Sequence, residues 1–371
     1  MLPALRPDRP SLADVMPSCL AAVQSRPNRL ELAPARKTVV VLVDGLGAAA
    51  LKARAGHART LARTLDAASI LESGFPTTTA AALASLTTGT SPGQHGLVGY
   101  SVLDAANDRV VNQLSGWDDR MNPRTWQSQP TVFERATDVG LDAVVIGPER
   151  YRDTGFTHAV LRGARYLAAA TIGQRCEEAE RWLREPGAGL AYVYVPELDS
   201  ISHARGWESP EWTARLEELD GALSQLLGAL RSGDGLLVTA DHGVVDIPRH
   251  SLIHYDLGEG LLDGVRHVAG EPRCLQLYVE ADPEAVAALW QQSEGDRSWV
   301  VTREQAIAAG WFGEVREDVR ARIGDVLVAA RKNIAYYDSR AGGEPMIGHH
   351  GSFSPAELQV PLLRFGEFAR R

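Results

Sequence analysis

The strongest constraint on the fold of this chain is a set of apolar runs that lead directly into acidic or imidazole side chains. Thr38–Val43 is an unbroken, mostly β-branched run that ends at Asp44. Such runs are typical of parallel strands that are buried on both faces of a sheet. Glycines in the following Asp44-Gly45-Leu46-Gly47 segment let the backbone turn tightly and approach a ligand. The sequence therefore predicts a parallel sheet with ligand-binding groups at one edge.

Strand and helix patterns alternate along most of the chain. Further strands are predicted at about 69–73, 143–146, 190–195, 235–239 and 360–365, and helices at about 11–24, 48–66, 80–86, 174–184 and 212–232. This alternation favours an α/β fold, in which a doubly wound, mostly parallel sheet carries helices on both faces.

The region from 262 to 340 has a different pattern. Short strand patterns at 274–279, 300–301 and 323–328 surround one helical pattern at 283–292. We predict that residues 262–340 form a small α+β cap insertion. Residues 1–261 and 341–371 then form the catalytic α/β core.

Charge and cysteine content restrict the partners and the compartment. The formal net charge of -9 argues against broad affinity for nucleic acid or for an anionic membrane surface. Charged residues interrupt the N-terminal apolar segment, and no long uncharged apolar stretch occurs, so neither a signal peptide nor a membrane span is expected. Cysteines without metal-binding spacing suit reduced thiols and a cytoplasmic protein; they are Cys19, Cys176 and Cys274.

Acidic and imidazole side chains follow or precede several of the predicted strands. The carboxyl ends of strands in an open parallel sheet meet at one crevice, so these distant groups are expected to converge. Carboxylate and neutral imidazole ligands suit zinc, although manganese or iron also fits such a mixed set. The set is too large for one tetrahedral ion and fits two ions about 4 Å apart. Its members are Asp44, Asp199, His203, Asp241, His242 and His350.

Plainer interpretations exist for each of these residues taken singly. Asp44 with its glycine is compatible with a simple turn, and Asp199 with His203 is compatible with a surface helical pair. His349 competes with its neighbour His350 for a ligand role, and the glycine that follows favours His350.

A candidate nucleophile lies at the junction of an extended segment and a helix. Thr79 begins the predicted helix, where free N–H groups and the positive end of the dipole favour a phosphate. A threonine oxygen bound to a metal ion loses its proton readily and becomes nucleophilic. Thr77 and Thr78 precede it, so the register of the nucleophile is open between Thr79 and Thr78, and helix capping is the plainer role for all of them.

Five segments occur in the order expected of a known superfamily. Between residues 38 and 365 the chain contains VLVDGLG, FPTTTAAALASLTTGTSPGQHG, PELDSISH, ADHG and HHG. Each segment alone is weak evidence, but their order and residue types together are specific. The sequence resembles the alkaline phosphatase superfamily, and within it the nucleotide pyrophosphatase/phosphodiesterase (type I phosphodiesterase) branch.

The resemblance implies a fold, an activity and a role for each residue. It implies a two-zinc hydrolase that cleaves phosphodiester or pyrophosphate bonds of nucleotide-type substrates through a covalent phosphothreonine. His95 matches a histidine that is usually structural. By the same resemblance the first zinc is bound by Asp199, His203 and His350, and the second by Asp44, Asp241, His242 and the nucleophile Thr79.

One position departs from the pattern of this branch. Many of its phosphodiesterases have an asparagine, a donor to a nonbridging phosphate oxygen, where this chain has Tyr100. The phenol is a possible substitute donor, so Tyr100 is a candidate catalytic residue. The departure keeps phosphonate or phosphate-monoester hydrolysis as an alternative activity. A non-catalytic zinc-binding scaffold is the alternative from a different class.

Overall fold

The structure, a computed structural model, describes residues 2–6, 8–340 and 342–370. Its strands are β1 (Lys37–Val43), β2 (Ile70–Glu72), β3 (Ser101–Asp104), β4 (Arg109–Asn112), β5 (Asp142–Gly147), β6 (Arg165–Ala168), β7 (Gly189–Val195), β8 (Asp234–Thr239), β9 (Val245–Asp246), β10 (Leu252–His254), β11 (Val265–Glu271), β12 (Cys274–Val279), β13 (Ser298–Thr302), β14 (Val326–Ala330), β15 (Ala335–Tyr337), β16 (Gly348–His349) and β17 (Gln359–Gly366). Its helices are α1 (Val15–Val23), α2 (Ala48–Ala53), α3 (Arg59–Ala62), α4 (Thr79–Thr88), α5 (Pro92–His95), α6 (Pro123–Trp126), α7 (Val132–Thr137), α8 (Gly155–Val160), α9 (Ile172–Arg184), α10 (Glu197–Arg205), α11 (Pro210–Gly228), α12 (Pro283–Glu294), α13 (Arg303–Ala308), α14 (Glu317–Arg320) and α15 (Pro355–Leu358).

The central sheet has the strand order β2–β17–β8–β1–β7–β5–β6. The strands β8, β1, β7, β5 and β6 run parallel, while β17 runs antiparallel to β8 and β2 runs antiparallel to β17. Every residue of β1 is buried, because strands pair with it on both sides and helices cover the faces of the sheet. The predicted mostly parallel α/β architecture is confirmed.

The register of the central strands brings their carboxyl ends to one edge. Val43 lies opposite Val195 of β7, and Leu42 lies opposite Thr239 of β8. The loops that follow these three strands therefore start side by side, which is the arrangement expected of a ligand-binding edge.

A smaller antiparallel sheet, in the order β11–β12–β14–β13, lies between residues 265 and 330. It falls inside the interval predicted as an α+β insertion, and the division of the chain into core and cap remains a prediction. A buried ion pair ties this sheet to the C-terminal part of the core, because Arg273 donates from Nε and Nη2 to both carboxylate oxygens of Glu357 at 2.8 Å. The smaller sheet is thus anchored to α15, the helix that precedes β17.

One predicted helix is broken in the structure. The expected helix at 48–66 divides into α2, a 3-10 turn at Ala55–His57 and α3. Gly56 weakens a continuous helix, and the carboxylate of Asp220 on α11 accepts hydrogen bonds from the backbone N–H groups of Thr60 and Leu61. This side chain caps a new helix start, which periodicity along the sequence does not reveal.

The hairpin β3–β4 was not predicted from the sequence. It follows the His95-Gly96 segment and packs against the smaller sheet, where Ser101 Oγ donates to the Gly270 carbonyl at 2.8 Å and Leu103 N–H donates to Tyr278 Oη at 3.0 Å.

Within the described residues, the structure contains no helix of the length and apolar character needed to cross a bilayer.

Candidate functional site

Two clusters of acidic and imidazole side chains lie at the carboxyl edge of the central sheet. Within each cluster the candidate ligand atoms lie within 4.8 Å of one another. The clusters adjoin, because the His350 ring stacks on the His242 ring with centroids 3.6 Å apart. The first cluster contains Asp199, His203 and His350, and the second contains Asp44, Asp241 and His242.

A glycine turn holds the second cluster in place after β1. Asp44 N–H donates to the Val195 carbonyl at 2.9 Å, which fixes the turn to the end of β7. Gly45 has a φ of +73°, and a Cβ there would lie 3.1 Å from Cα of Asp199. Its N–H donates to Oδ1 of Asp241 at 3.1 Å. A side chain at position 45 would therefore push the two clusters apart.

The three imidazoles share one orientation. Each has its Nδ1 beside a backbone carbonyl: His203 beside Gly348 at 2.8 Å, His350 beside Thr77 at 2.8 Å, and His242 beside Gly243 at 3.2 Å. A proton on Nδ1 satisfies these carbonyls and leaves the Nε2 lone pair free, which is the usual arrangement of metal-binding histidines.

The free Nε2 atoms face carboxylates. His203 Nε2 lies 3.1 Å from Oδ2 of Asp199, one helical turn earlier on α10, as their spacing predicts. His350 Nε2 lies 3.9 Å from Oδ1 of Asp199. His242 Nε2 lies 3.6 Å from Asp44 and 3.4 Å from Asp241. Imidazole nitrogen and carboxylate oxygen lone pairs therefore come together within each of the two clusters.

Within the two clusters, three buried carboxylate oxygens have no hydrogen-bond partner among the described residues. They are Oδ1 of Asp44, Oδ1 of Asp199 and Oδ2 of Asp241. An unpaired buried charge is costly, and a bound cation would compensate for it. Burial, with the charges of Asp241 and Asp199, raises the pKa of Asp44 well above its usual range. The donor set therefore fits two divalent cations.

Thr79 is the first residue of α4, and its hydroxyl lies beside the second cluster. Its Oγ1 lies 3.2 Å from Nε2 of His242, and it lines a cavity of about 650 Å³. Thr77 is engaged elsewhere, because its hydroxyl donates to the Ser352 carbonyl and accepts from the Gly351 N–H. Thr78 is the N-cap residue and is fully buried. The geometry thus favours Thr79 over Thr78 as the nucleophile.

His349 lies outside both clusters. Its Nε2 is 2.7 Å from Tyr337 Oη, and its Nδ1 is 2.9 Å from the Ile347 carbonyl, so both ring nitrogens already have partners. Between these neighbours, His350 is the one in the cluster, as the following glycine indicates.

The smaller sheet supplies a residue that sequence reasoning missed. Glu271 of β11 lies against Gly351, and a Cβ added to Gly351 would come within 2.5 Å of Cγ of Glu271. Oε2 of Glu271 lies 3.8 Å from Nδ1 of His350. Burial raises the pKa of Glu271 well above its usual range. Gly351 has a φ of +131°, so both its conformation and this close approach require glycine.

His95 connects α4 to the segment that carries Tyr100. Leu97 N–H donates to its Nδ1 at 3.1 Å, so Nε2 carries the proton and donates to Ser85 Oγ at 3.0 Å. Burial lowers the pKa of this fully buried ring to about 3. These contacts support the structural role that the family resemblance implies.

We expect His95 to make stability fall with acidity. Its folded pKa lies below the unfolded value, so this contribution is present above about pH 6.5 and is lost as the pH falls toward 3. The free energy of unfolding of His95→Gln can be measured by urea unfolding at several pH values between 4.5 and 6.5. Its rise with pH should be smaller than that of the unsubstituted protein by up to about 1.4 kcal/mol per pH unit. His158 is exposed, so His158→Gln should leave the pH dependence of the free energy of unfolding unchanged. An unchanged pH dependence for His95→Gln would show that the buried His95 ring does not cause it.

A cavity of about 650 Å³ opens onto the two clusters. Thr79 and Tyr100 both line it, and 41% of Tyr100 is exposed. The aromatic wall of this cavity was not predicted from the sequence. The alternation of Tyr192 and Tyr194 on β7, just before the Asp199 motif, was the available signal. The wall is formed by Tyr100, Trp117, Tyr151, Phe156, Tyr166, Tyr192 and Tyr194.

The smaller sheet contributes none of the described residues that line this cavity. A second cavity, of about 700 Å³, lies between the N-terminal segment and Gly89–Gln94 and contains none of the predicted site residues. The 650 Å³ cavity is therefore the candidate substrate pocket.

Solved structures with the same fold include two hydrolases. An inactive threonine-to-alanine variant of murine ectonucleotide pyrophosphatase/phosphodiesterase 5, in complex with AMP, superposes with a TM-score of 0.71 at 15% identity and covers 90% of this chain and 88% of that one. Phosphonoacetate hydrolase from Sinorhizobium meliloti, in complex with phosphonoacetate, gives a TM-score of 0.71 at 21% identity over 90% and 91% of the two chains. At these identities the likeness shows the fold.

Sequence relatives cover smaller parts of the chain. An uncharacterized pyrophosphatase/phosphodiesterase of Schizosaccharomyces pombe is 23% identical over 193 residues, which are 49% of this chain and 39% of that protein. Phosphopentomutase of Clostridioides difficile is 27% identical over 118 residues, 31% of this chain and 28% of that protein. The matches thus span less than half the length of these relatives. The family profile for type I phosphodiesterase/nucleotide pyrophosphatase, in contrast, matches residues 38–353. The chain belongs to this family, a branch of the alkaline phosphatase superfamily.

Proposed function

We propose that this protein hydrolyses phosphodiester or pyrophosphate bonds of nucleotide-type small molecules, with two divalent metal ions and Thr79 as the nucleophile. The observation that carries the proposal is the position of the Thr79 hydroxyl, 3.2 Å from His242 at the edge of two adjoining carboxylate–imidazole clusters. A nucleophile at a helix N-terminus beside two cation sites suits attack on phosphorus.

The two clusters divide the metal ligands between them. Two zinc ions suit the mixed oxygen and nitrogen donors, and such a pair would stabilise the negative charge that develops on the attacking and leaving oxygens. The first site would use Asp199, His203 and His350, and the second Asp44, Asp241, His242 and Thr79.

The protein groups account for a two-step reaction. Thr79 Oγ1 forms a bond to phosphorus while the bond to the leaving oxygen breaks on the opposite side, which gives a phosphothreonine intermediate. No N-cap side-chain hydrogen bond is made at the start of α4 within the described part of the chain, so the N–H groups of its first turn are available to the phosphoryl oxygens. Tyr100 lies on the cavity wall, and in this proposal its hydroxyl would donate to a nonbridging oxygen in place of an asparagine. Water then replaces Thr79, so the two displacements together retain configuration at phosphorus.

The compartment is proposed from the thiols. Cys19, Cys176 and Cys274 are all free and buried, which is consistent with a reducing environment such as the cytoplasm. The natural partner is proposed to be a small phosphorus-containing molecule that fits the aromatic-walled cavity.

A substrate panel tests the activity. We expect the zinc-loaded protein to hydrolyse bis(p-nitrophenyl) phosphate with a higher kcat/KM than p-nitrophenyl phosphate. The likeness to phosphonoacetate hydrolase makes phosphonate hydrolysis the second candidate, so phosphonoacetate belongs in the panel. A clear preference for the monoester or the phosphonate would exclude diester specificity. If no phosphorus substrate were cleaved, the non-catalytic scaffold would be favoured.

Tyr194 is expected to orient Asp44 for metal binding. Its hydroxyl donates to Oδ2 of Asp44 at 2.5 Å, so Oδ1 is left to face the cation site. Loss of such a supporting hydrogen bond typically lowers metal affinity or activity about 10- to 100-fold. We therefore expect Tyr194→Phe to weaken zinc binding by this amount in a chelator competition assay.

Tyr192 offers a matched control on the same strand. Its buried hydroxyl has no hydrogen-bond partner among the described residues, so Tyr192→Phe should leave zinc affinity unchanged. Equal affinities for Tyr194→Phe and the unsubstituted protein would show that the phenol does not support the site.

A further inference from the structure

The substrate cavity contains a single cationic side chain among its described lining residues, that of Arg150. The other charged side chains on the lining are carboxylates, and two of them, Asp44 and Asp199, belong to the clusters. Two bound cations would be balanced largely by the cluster carboxylates. Arg150 would then be the remaining positive charge in the cavity.

No carboxylate within the described residues pairs with the Arg150 guanidinium. Its hydrogen bond goes to a neutral group, Tyr151 Oη, at 3.0 Å. Glu197 shares a small surface pocket with Arg150, but its carboxylate is paired with the buried Arg175. The guanidinium therefore keeps donors available for a ligand.

Aromatic packing connects Arg150 to the metal clusters. Its guanidinium carbon lies 4.7 Å from the ring centroid of Tyr151. The Tyr151 ring packs edge-on against Tyr194 with centroids 5.8 Å apart, and Tyr194 hydrogen-bonds to Asp44. The turn that carries Arg150 is also held by Thr157, whose hydroxyl donates to the Tyr151 carbonyl at 2.6 Å. The cation is thus held at the wall of the cavity that contains Thr79.

We propose that Arg150 binds a second phosphate group of the substrate, next to the phosphorus attacked by Thr79, and that the protein therefore prefers pyrophosphate-linked substrates to simple diesters. This inference rests on the proposed function. Hydrolysis of a P–O–P bond consumes one water and yields two phosphate monoesters. The departing phosphate keeps the electron pair of the broken P–O bond and gains negative charge. A guanidinium binds such a group with paired, charge-assisted hydrogen bonds.

A pair of matched substrates tests the proposal. P1,P2-bis(p-nitrophenyl) diphosphate and bis(p-nitrophenyl) phosphate carry the same aromatic groups and differ by one charged phosphate. With substrate consumption followed by liquid chromatography, Arg150→Gln should lower kcat/KM for the diphosphate by roughly 10- to 100-fold, the range for losing a hydrogen bond to a charged group. The diester should change by less than about twofold, because it has no second phosphate to lose a contact with.

Two further variants sharpen the result. Arg150→Lys keeps the charge without the bidentate fork, and it should recover part of the selectivity. Arg124, whose side chain is 74% exposed and lies off the cavity lining, supplies the control Arg124→Gln, which should behave as the unsubstituted protein. An equal loss on both substrates, or no loss on the diphosphate, would overturn the proposal.

Failure of the proposed function is distinguishable from failure of this inference. If the unsubstituted protein cleaves diesters but Arg150→Gln shows no selective loss, the proposed function stands and the inference is wrong. If neither substrate is cleaved, the proposed function is wrong, and calorimetric titration with inorganic pyrophosphate and orthophosphate decides the inference. Preferential pyrophosphate binding that Arg150→Gln removes supports it, and identical binding by both proteins overturns it.

Discussion

Replacement of Thr79 by alanine is expected to lower kcat for diester hydrolysis by at least about 10³-fold. The variant lacks the oxygen that attacks phosphorus, and the other two hydroxyls of the 77–79 segment do not line the cavity. Thr77 is hydrogen-bonded to the Ser352 carbonyl and the Gly351 N–H, and Thr78 does not line the cavity. The change should leave the fold intact, because a single small side chain at a helix start is removed. Steady-state kinetics with bis(p-nitrophenyl) phosphate measures the loss.

Two control variants test whether the loss of activity is specific to the Thr79 hydroxyl. Thr79→Ser keeps a hydroxyl and should retain part of the activity, whereas Thr78→Ala should change kcat by less than about fivefold, because the Thr78 side chain is buried and does not line the cavity. Intact mass spectrometry of acid-quenched reactions should find the covalent adduct in the Thr79 protein and none in Thr79→Ala. A large loss for Thr78→Ala with normal turnover by Thr79→Ala would assign the nucleophile to Thr78 instead.

Much of the sheet and of the candidate site was predictable because the decisive signals are local. Apolar runs identify β1, β7 and β8, and the side chains after each run fall at one edge because the strands are parallel. Residue type then singles out acids and imidazoles, and the structure places all six of these predicted groups in two adjoining clusters. Their function as metal ligands remains a prediction.

The parts that were not predicted depend on contacts between distant segments. The helix expected at 48–66 breaks where Asp220, far along the chain, caps a new start. Glu271 reaches His350 only because the smaller sheet folds back against the core. Arg150 and Tyr151 sit in a short turn without any catalytic motif, so only the shared cavity reveals their relation to Thr79.

Substitution of Asp241 by asparagine should have opposite consequences for the metal-free and the metal-loaded protein. Oδ1 of Asp241 accepts hydrogen bonds from Gly45 N–H at 3.1 Å and from His242 N–H at 3.0 Å, while Oδ2 is buried without a partner among the described residues. An asparagine keeps the first oxygen and places an amide nitrogen where the unpaired oxygen was. It therefore preserves the backbone contacts and removes one charge of the crowded pair with Asp44.

Without metal, Asp241→Asn should be at least as stable as the unsubstituted protein, since a buried charge with an unpaired oxygen has been removed. With zinc at about 100 times its dissociation constant, the unsubstituted protein should gain about 2.7 kcal/mol, and the variant should lose most of this gain because an amide nitrogen cannot bind the ion. Hydrolysis should fall by at least about 100-fold. Thermal unfolding after chelation, with and without added zinc, measures both effects.

The control for these opposite effects on stability is Asp153→Asn. It makes the same chemical change on the cavity wall but outside both clusters. It should leave the zinc-dependent rise in Tm unchanged, because Asp153 supplies no ligand atom to either cluster. If Asp241→Asn kept the full zinc-dependent rise, the second cluster would not be the cation site. If the metal-free variant were much less stable than the metal-free parent, the negative charge of Asp241 would itself stabilise the fold, and the cluster would need no cation to balance that charge.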